Sequence, residues 1–317
     1  MFLYNRVNKQ ELRKQVAAEP FKRVTMSFYR YTHIENPEKT RDELFAHWST
    51  LKVFGRIYLA HEGINAQLSV PEHSIKDFTN HLYQNPLFKD VPIKQAIEDD
   101  SKSFFALKMK VKSKIVADGL KEGSFDASNT GTRLDAVTFH HKMDNLDIVL
   151  VDMRNKYESE VGHFKNALRP DVKTFRESLP KILKDIGDKK DKELMLYCTG
   201  GIRCEKASAY FKHHGFKNVY QLDGGIIQYA HEMNRLGMES KFIGKNFVFD
   251  ERLGERITPD ILGKCYNCGG SSDRQVNCAN LACHTLIIQC EKCASSMKSF
   301  CSEKCLTEYT NQSAKAC

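Results

Sequence analysis

The chain has no apolar run near the ~20 residues that cross a bilayer. Its first residues, Met1-Phe2-Leu3-Tyr4-Asn5-Arg6 leading into the polar stretch Asn8 to Lys14, contain neither an apolar export core nor a small-residue cleavage site. The expectation is therefore a protein with no membrane partner that stays in the cytoplasm. No flavin, haem or nucleotide-binding motif is visible, so a redox reaction here would rest on side chains and small co-substrates. Cysteine is absent from the first 197 residues, although the chain holds 11. In a reducing compartment cysteines serve metal binding or catalysis before disulfides. Nine lie between Cys265 and Cys317, and the other two, Cys198 and Cys204, share one loop. Chemistry and metal scaffold thus separate along the chain.

At 317 residues the chain exceeds one ordinary core and suits two or three domains. A hydrophobic content of 41% and a mean hydropathy of −0.49 fit a soluble globular protein. The net charge of +8 is uneven: residues 1–125 carry a basic surplus of five, residues 126–240 of one and residues 241–317 of two. An anionic partner such as RNA accounts for this excess, and so does a solvated surface with no partner.

From Phe21 to about Asp118 the pattern reads as a strand (Arg23 to Tyr31), a helix (Glu38 to Thr50), and two strands divided by His61-Glu62-Gly63. A helix (Glu72 to Gln84) and a terminal strand (Ser103 to Val116) follow. This β-α-β-β-α-β order predicts a ferredoxin-like α+β domain over residues 1–120. In its last strand a period of two sets Lys108, Lys110, Lys112 and Lys114 on one face and Leu107, Met109 and Val111 on the other. Four ammonium groups in a row suit a phosphate backbone. They equally suit an edge strand that uses lysine against aggregation.

Gly119 to Gly131, rich in Gly, Ser, Asn and Asp, reads as a linker. Beyond it, over residues 127–240, the apolar runs Asp147 to Met153, Glu193 to Tyr197 and Asn218 to Leu222 alternate with helical stretches at Val172 to Ile186 and Glu205 to His214. That is an α/β domain with a parallel sheet, whose functional groups collect at the carboxyl ends of the strands. Cys198 stands at one such end.

The loop Cys198-Thr199-Gly200-Gly201-Ile202-Arg203 joins a strand to a helix. Its glycines let several N–H groups face one point, and the helix adds its positive end. Arg203 adds a cation. An ordinary thiol with a pKa of ~8.5 is lowered by roughly one to several units in such a place, so Cys198 is expected to ionise at neutral pH. Four residues separate Cys198 from Arg203, one fewer than in cysteine phosphatases. The smaller ring disfavours a phosphate dianion and fits a persulfide, a sulfenic acid or attack on a substrate carbon. An inert buried cysteine is the ordinary alternative. Cys204 either resolves an oxidised Cys198 or packs.

In residues 241–317 the pairs Cys265/Cys268, Cys278/Cys283, Cys290/Cys293 and Cys301/Cys305 suffice for two closed four-thiolate sites. Zinc suits such sites, and no tight Cys-x2-Cys-x2-Cys cluster run occurs. A segment this small has little core, so metal is expected to supply its stability. His284 reads as a solvent-facing neighbour of Cys283, and Cys317 is unassigned.

Asp152-Met153-Arg154, Gly162-His163-Phe164 with Asn166-Ala167, and Asp223-Gly224-Gly225-Ile226 resemble motifs of the rhodanese superfamily over residues 127–240. A longer resemblance covers nearly the whole chain. Glu62-Gly63-Ile64-Asn65, Lys112 to Leu120, Val149 to Ala167, Tyr197 to Ser208, Phe242 to Arg252 and the cysteine-rich tail look like the oxygen-dependent tRNA uridine hydroxylase family. Ala66-Gln67 departs from the Gly-Thr of some relatives. The resemblance implies formation of 5-hydroxyuridine at the wobble position of certain tRNAs, with molecular oxygen as co-substrate. It makes Cys198 essential; Asp152, Arg154 and Cys204 are candidate supporting residues. Uridine C6 is electrophilic, so a thiolate that adds there would render C5 enolate-like toward oxygen. Two other functions stand beside this one: a sulfurtransferase carrying a Cys198 persulfide, and a non-catalytic RNA-binding scaffold in which only the metal and the lysines matter.

Overall fold

The computed structural model describes residues 8–315. The segment Met1 to Arg6 and Cys317 lie outside the described residues. Among those described, no helix is long and apolar enough to cross a membrane.

The amino-terminal part contains α1 (Lys9–Ala17), β1 (Arg23–Tyr31), α2 (Pro37–Thr50), β2 (Phe54–Ala60), β3 (Gly63–Pro71), α3 (Ile75–Gln84), β4 (Lys94–Gln95) and β5 (Leu107–Val111). Asn36 starts α2 by accepting a hydrogen bond from the Lys39 N–H at 2.9 Å, and Pro37 fills the first turn, where its missing N–H costs nothing. Helices α2 and α3 cover one face of the sheet, where Phe28, Trp48, Ile57, Leu68 and Phe78 are buried. Each such side chain contributes roughly 1.5–3 kcal/mol through lost contact with water. The other face, with Tyr29, Tyr58, Asn65 and Gln67, points toward the centre of the molecule.

The sheet order is β4-β1-β3-β2-β5. The ferredoxin-like core is present, but its fourth strand is the two-residue β4, antiparallel to β1. The expected terminal strand shrinks to β5, which lies at the opposite edge, parallel to β2. Two residues are too few to show a period, and alternation tells which face a residue occupies but not which edge its strand joins.

The lysine row is corrected as well. Lys108, Lys110 and Lys112 are exposed, but β5 ends at Val111 and the Lys114 ammonium turns inward to Asp118 (2.7 Å) and the Leu120 carbonyl (2.7 Å). The linker is likewise docked: Leu120 and Phe125 pack against the core of the next domain.

That domain contains β6 (Thr132–Leu134), α4 (Ala136–Lys142), β7 (Val149–Asp152), α5 (Lys156–Ser159), β8 (Gly162–Phe164), α6 (Phe175–Ile186), β9 (Glu193–Tyr197), α7 (Ile202–His213), β10 (Asn218–Leu222) and α8 (Gly225–Leu236). A parallel sheet of order β6-β10-β9-β7 lies between α6 and α7 on one side and α4 and α8 on the other. Helix α7 begins three residues before the sequence periodicity places it, so Arg203 and Cys204 sit in its first turn. The pattern is obscured because residues 203–211 are all buried. One side meets the parallel sheet and the other meets the amino-terminal part, so charged Glu205 and Lys206 lie inside the protein.

Downstream come β11 (Phe242–Asn246), β12 (Glu255–Arg256), β13 (Gln275–Asn277), β14 (Leu286–Ile288), α9 (Glu291–Ser296) and α10 (Glu303–Lys315). Strand β11 pairs antiparallel with β8 and buries Phe242 against Phe164, which joins it to the α/β core. The cysteines gather around the β13-β14 ribbon.

Candidate active site

Cys198 follows β9 and is fully buried at the inner end of a cavity of about 520 Å³. Three parts of the chain wall this cavity. The α/β domain supplies the loop, with Arg203 and Phe175. The amino-terminal sheet lays Ser27, Tyr29, Arg56, Tyr58, Asn65 and Gln67 over it, and Val248, Phe249 and Arg252 close the side. Gln67, at the point of departure from some relatives, is thus a cavity residue.

The loop is propped from both ends. Gly201 caps α7 with φ +100° and packs under the Tyr29 hydroxyl, which an added Cβ would approach to 2.8 Å. Gly225 (φ +67°) fits under the loop carbonyls: a Cβ there would stand 2.6 Å from the carbonyl oxygens of both Cys198 and Thr199. The N–H groups of Ile226 and Ile227 donate to those same carbonyls at 3.0 and 3.2 Å.

The Gly201 N–H points at the Cys198 sulfur, 3.1 Å away. Burial pushes the thiol up, but a hydrogen bond from Cys204, the charge of Arg203 and the N–H groups of Arg203 and Cys204 outweigh it and bring Cys198 to about 6. Burial and the neighbouring Cys198 push Cys204 well above the usual thiol value. The two cysteines are held apart in acidity, one ionised and the other a proton donor beside it. Alkylation of Cys198 by iodoacetamide is therefore expected to rise with pH through a midpoint near 6 and level off above 7. A midpoint near 8.5, measured by peptide mass spectrometry, would remove the activated thiolate.

Arg203 is itself fixed by Glu158, whose two oxygens accept from its guanidinium at 2.6 and 2.8 Å; both residues are buried. Burial opposes the charge on Arg203, and Glu158 maintains it. Glu158 also closes a capping box with Asn155 at the start of α5. The spacing Asn-x-x-Glu carried that signal in the sequence. Asp152 and Arg154 stand elsewhere. Fully buried, they pair at 2.7 Å; Tyr197 donates to Asp152 at 2.9 Å and Arg154 to the Gly162 carbonyl at 2.6 Å. They tie β7 to β8 and β9 and do not line the cavity.

Contacts from the amino-terminal sheet reach the loop directly. Tyr29 donates to Glu205 at 3.0 Å and Tyr31 to the Ile202 carbonyl at 3.2 Å. Lys206 donates to Glu62 at 2.5 Å and to Asp118 at 2.8 Å. No local pattern announces these pairs.

In the tail, Cys265, Cys268, Cys290 and Cys293 form one cluster and Cys278, Cys283, Cys301 and Cys305 the other, with all sulfurs of a cluster within 4.8 Å of one another. The sites interleave, each taking alternate pairs. Cys268 to Cys290 measures 3.8 Å, Cys283 to Cys301 3.8 Å and Cys278 to Cys305 3.5 Å. A tetrahedron with metal–sulfur bonds of about 2.3 Å has edges of about 3.8 Å, so both clusters fit a metal ion. N–H groups of Cys290, Cys301 and Asn280 point at the sulfurs of Cys265, Cys278 and Cys305, as thiolates require. His284 is exposed and stands in neither cluster.

A parallel sheet with a reactive cysteine between strand end and helix start defines a rhodanese-like domain. Family models agree: a rhodanese-like domain matches residues 135–232, a UPF0176 acylphosphatase like domain residues 23–115, and a rhodanase C-terminal model residues 243–306. A rhodanese-like domain protein of Staphylococcus aureus is 19% identical with a TM-score of 0.26, covering 31% of this chain and 90% of that one. A tRNA uridine(34) hydroxylase of Leptospira interrogans is 51% identical over 303 residues, 96% of this chain and 83% of its own length. One of Salmonella typhi is 50% identical over 307 residues, 96% of this chain and 88% of its own. The chain belongs to the tRNA uridine(34) hydroxylase family.

Proposed function

We propose that this protein is an oxidoreductase that converts the wobble uridine of tRNA to 5-hydroxyuridine, with molecular oxygen as co-substrate and Cys198 as the reacting thiol. The observation that carries the reading is an activated cysteine, at about 6, at the inner end of a cavity roofed by a second domain in a chain half identical to its named relatives. Mass-spectrometric nucleoside analysis of tRNA from a strain lacking this chain tests it. The modified nucleoside disappears and returns with the gene. An unchanged level, together with a one-sulfur adduct on Cys198 after thiosulfate treatment, would assign the thiol to sulfur transfer.

The parts divide the work. Residues 127–240 hold the thiol, residues 1–120 cover it and meet the tRNA, and residues 241–317 bind two structural zinc ions through the eight cysteines. The enzyme works in the cytoplasm, where its tRNA is. Lys108 and Lys110 pair across from Arg56 and Tyr58 of β2, so they extend outward on the same sheet face that lines the cavity. This register favours a path for the RNA backbone over mere edge protection. Replacing Lys108, Lys110 and Lys112 by alanine lowers the slope of log affinity against log salt by about 2. Lys114→Ala leaves it unchanged, because that ammonium is already paired. Equal slopes for the triple variant and the wild type would return the lysines to edge protection.

A further inference from the structure

Beside the Cys198 cavity a larger cleft of about 1400 Å³ opens between the amino-terminal part and the α/β domain, and Lys94 lines both spaces. Strand β4 sets Lys94 opposite Ser27 of β1. Its ammonium lies over the Tyr29 ring, 4.9 Å from the centroid. Its stem rests on the turn that props the catalytic loop: a Cβ on Gly224 would be 3.4 Å from the Lys94 Cε.

The neighbouring buried cations are all matched. Arg154 has Asp152, Arg203 has Glu158, and Lys206 has Glu62 and Asp118. Lys94 differs, since among the described residues its ammonium forms no ion pair and no side-chain hydrogen bond. Glu205, which faces the same cleft, is already engaged by Tyr29, Arg133 and Gln221. Burial holds Lys94 below the ordinary lysine value, while Asp223, Cys198 and Glu205 act in the other direction. A half-buried ammonium that lines the same cavity as a thiolate, with its donors unused, is arranged for an anion that arrives with the substrate.

We propose that Lys94 is a catalytic residue of the uridine reaction, its ammonium donating to O4 of the target uracil and stabilising the charge that O4 acquires when Cys198 adds to C6. This rests on the hydroxylation reading above. In that step a sulfur electron pair forms the S–C6 bond, the C5=C6 π pair moves to C4–C5, and the C4=O π pair settles on O4. Nothing is oxidised; one negative charge moves from sulfur to oxygen, and Lys94 receives it by a charge-assisted hydrogen bond. Arg56, Lys108 and Lys110 are exposed at the rim, where the proposed path of the RNA backbone runs. Lys94 sits within, on the wall between the two spaces.

The test uses an anticodon stem-loop RNA with 5-fluorouridine at the wobble position, whose C6 adduct is long-lived. The wild-type protein forms a covalent complex through Cys198. Lys94→Met, which keeps the stem against Tyr29, slows its formation at saturating RNA by about 10²- to 10³-fold, with the half-saturating RNA concentration within threefold of wild type. Lys94→Arg recovers part of the rate. Iodoacetamide alkylation of Cys198 stays within threefold in both variants.

Adduct formation at the wild-type rate in Lys94→Met overturns the assignment. So does an equal slowing of alkylation, which would mean that the ammonium acts through the thiol. A wild-type protein that hydroxylates tRNA but forms no adduct also removes this role, and leaves hydroxylation standing. Absence of hydroxylation removes the underlying reading instead.

Discussion

Cys198→Ser is expected to lower 5-hydroxyuridine formation by at least about a thousandfold, because a hydroxyl cannot take over either task of the thiolate. Everything around the sulfur is arranged for negative charge: the Gly201 N–H at 3.1 Å, the first-turn N–H groups of α7, the Cys204 donor and the Arg203 guanidinium. A serine at this position stays protonated, and the same donors meet a neutral oxygen. The exchange is nearly isosteric, so thermal stability should stay close to wild type. The measurement is nucleoside analysis after complementation of a null strain, with melting of the purified variant beside it. Full 5-hydroxyuridine formation by a folded Cys198→Ser variant would deny the thiol both a nucleophilic and a redox role.

Cys265→Ser is expected to remove one of two bound metals and loosen the tail. A closed structural zinc site is worth roughly 10–16 kcal/mol of apparent binding energy at neutral pH, far more than the small apolar clusters of this segment supply. The effect should spread to the site. Gln275 of β13 donates to the Tyr157 carbonyl of α5 at 2.7 Å, and Ile288 packs with Val161 and Phe247. Helix α5 carries Glu158, which fixes Arg203. Metal content per chain measured by plasma mass spectrometry should fall from two to one, with new proteolytic cleavage after residue 257 and reduced hydroxylation. Two metals in the variant, or none in the wild type, would overturn the assignment of these clusters.

The features legible in the sequence are those written in a short window. The thiol loop and the eight cysteines are local spacings: the first marks a reactive sulfur without saying what it attacks, and the second marks thiolate metal sites. The interleaving of the two metal sites is not local: which pair joins which depends on how the β13-β14 ribbon folds back. Glu158 was half legible, since its capping spacing with Asn155 marks a helix start but not the arginine it would hold. Lys114 misleads because the period of two runs on past Val111, where the strand stops and Asp118 draws the ammonium inward. Tyr29, Tyr31 and Lys94 belong to a domain that meets the loop only after docking, so no window contains both partners.

The burial of α7 on both its faces means that this rhodanese-like domain is not a self-contained part. Its second face is matched to foreign residues: Lys206 to Glu62, Glu205 to Tyr29, and the Ile202 carbonyl to Tyr31. Transplanted without its roof, the domain would bare a helix composed for company and a loop deprived of half its support. In this chain the working unit is therefore the junction rather than either domain.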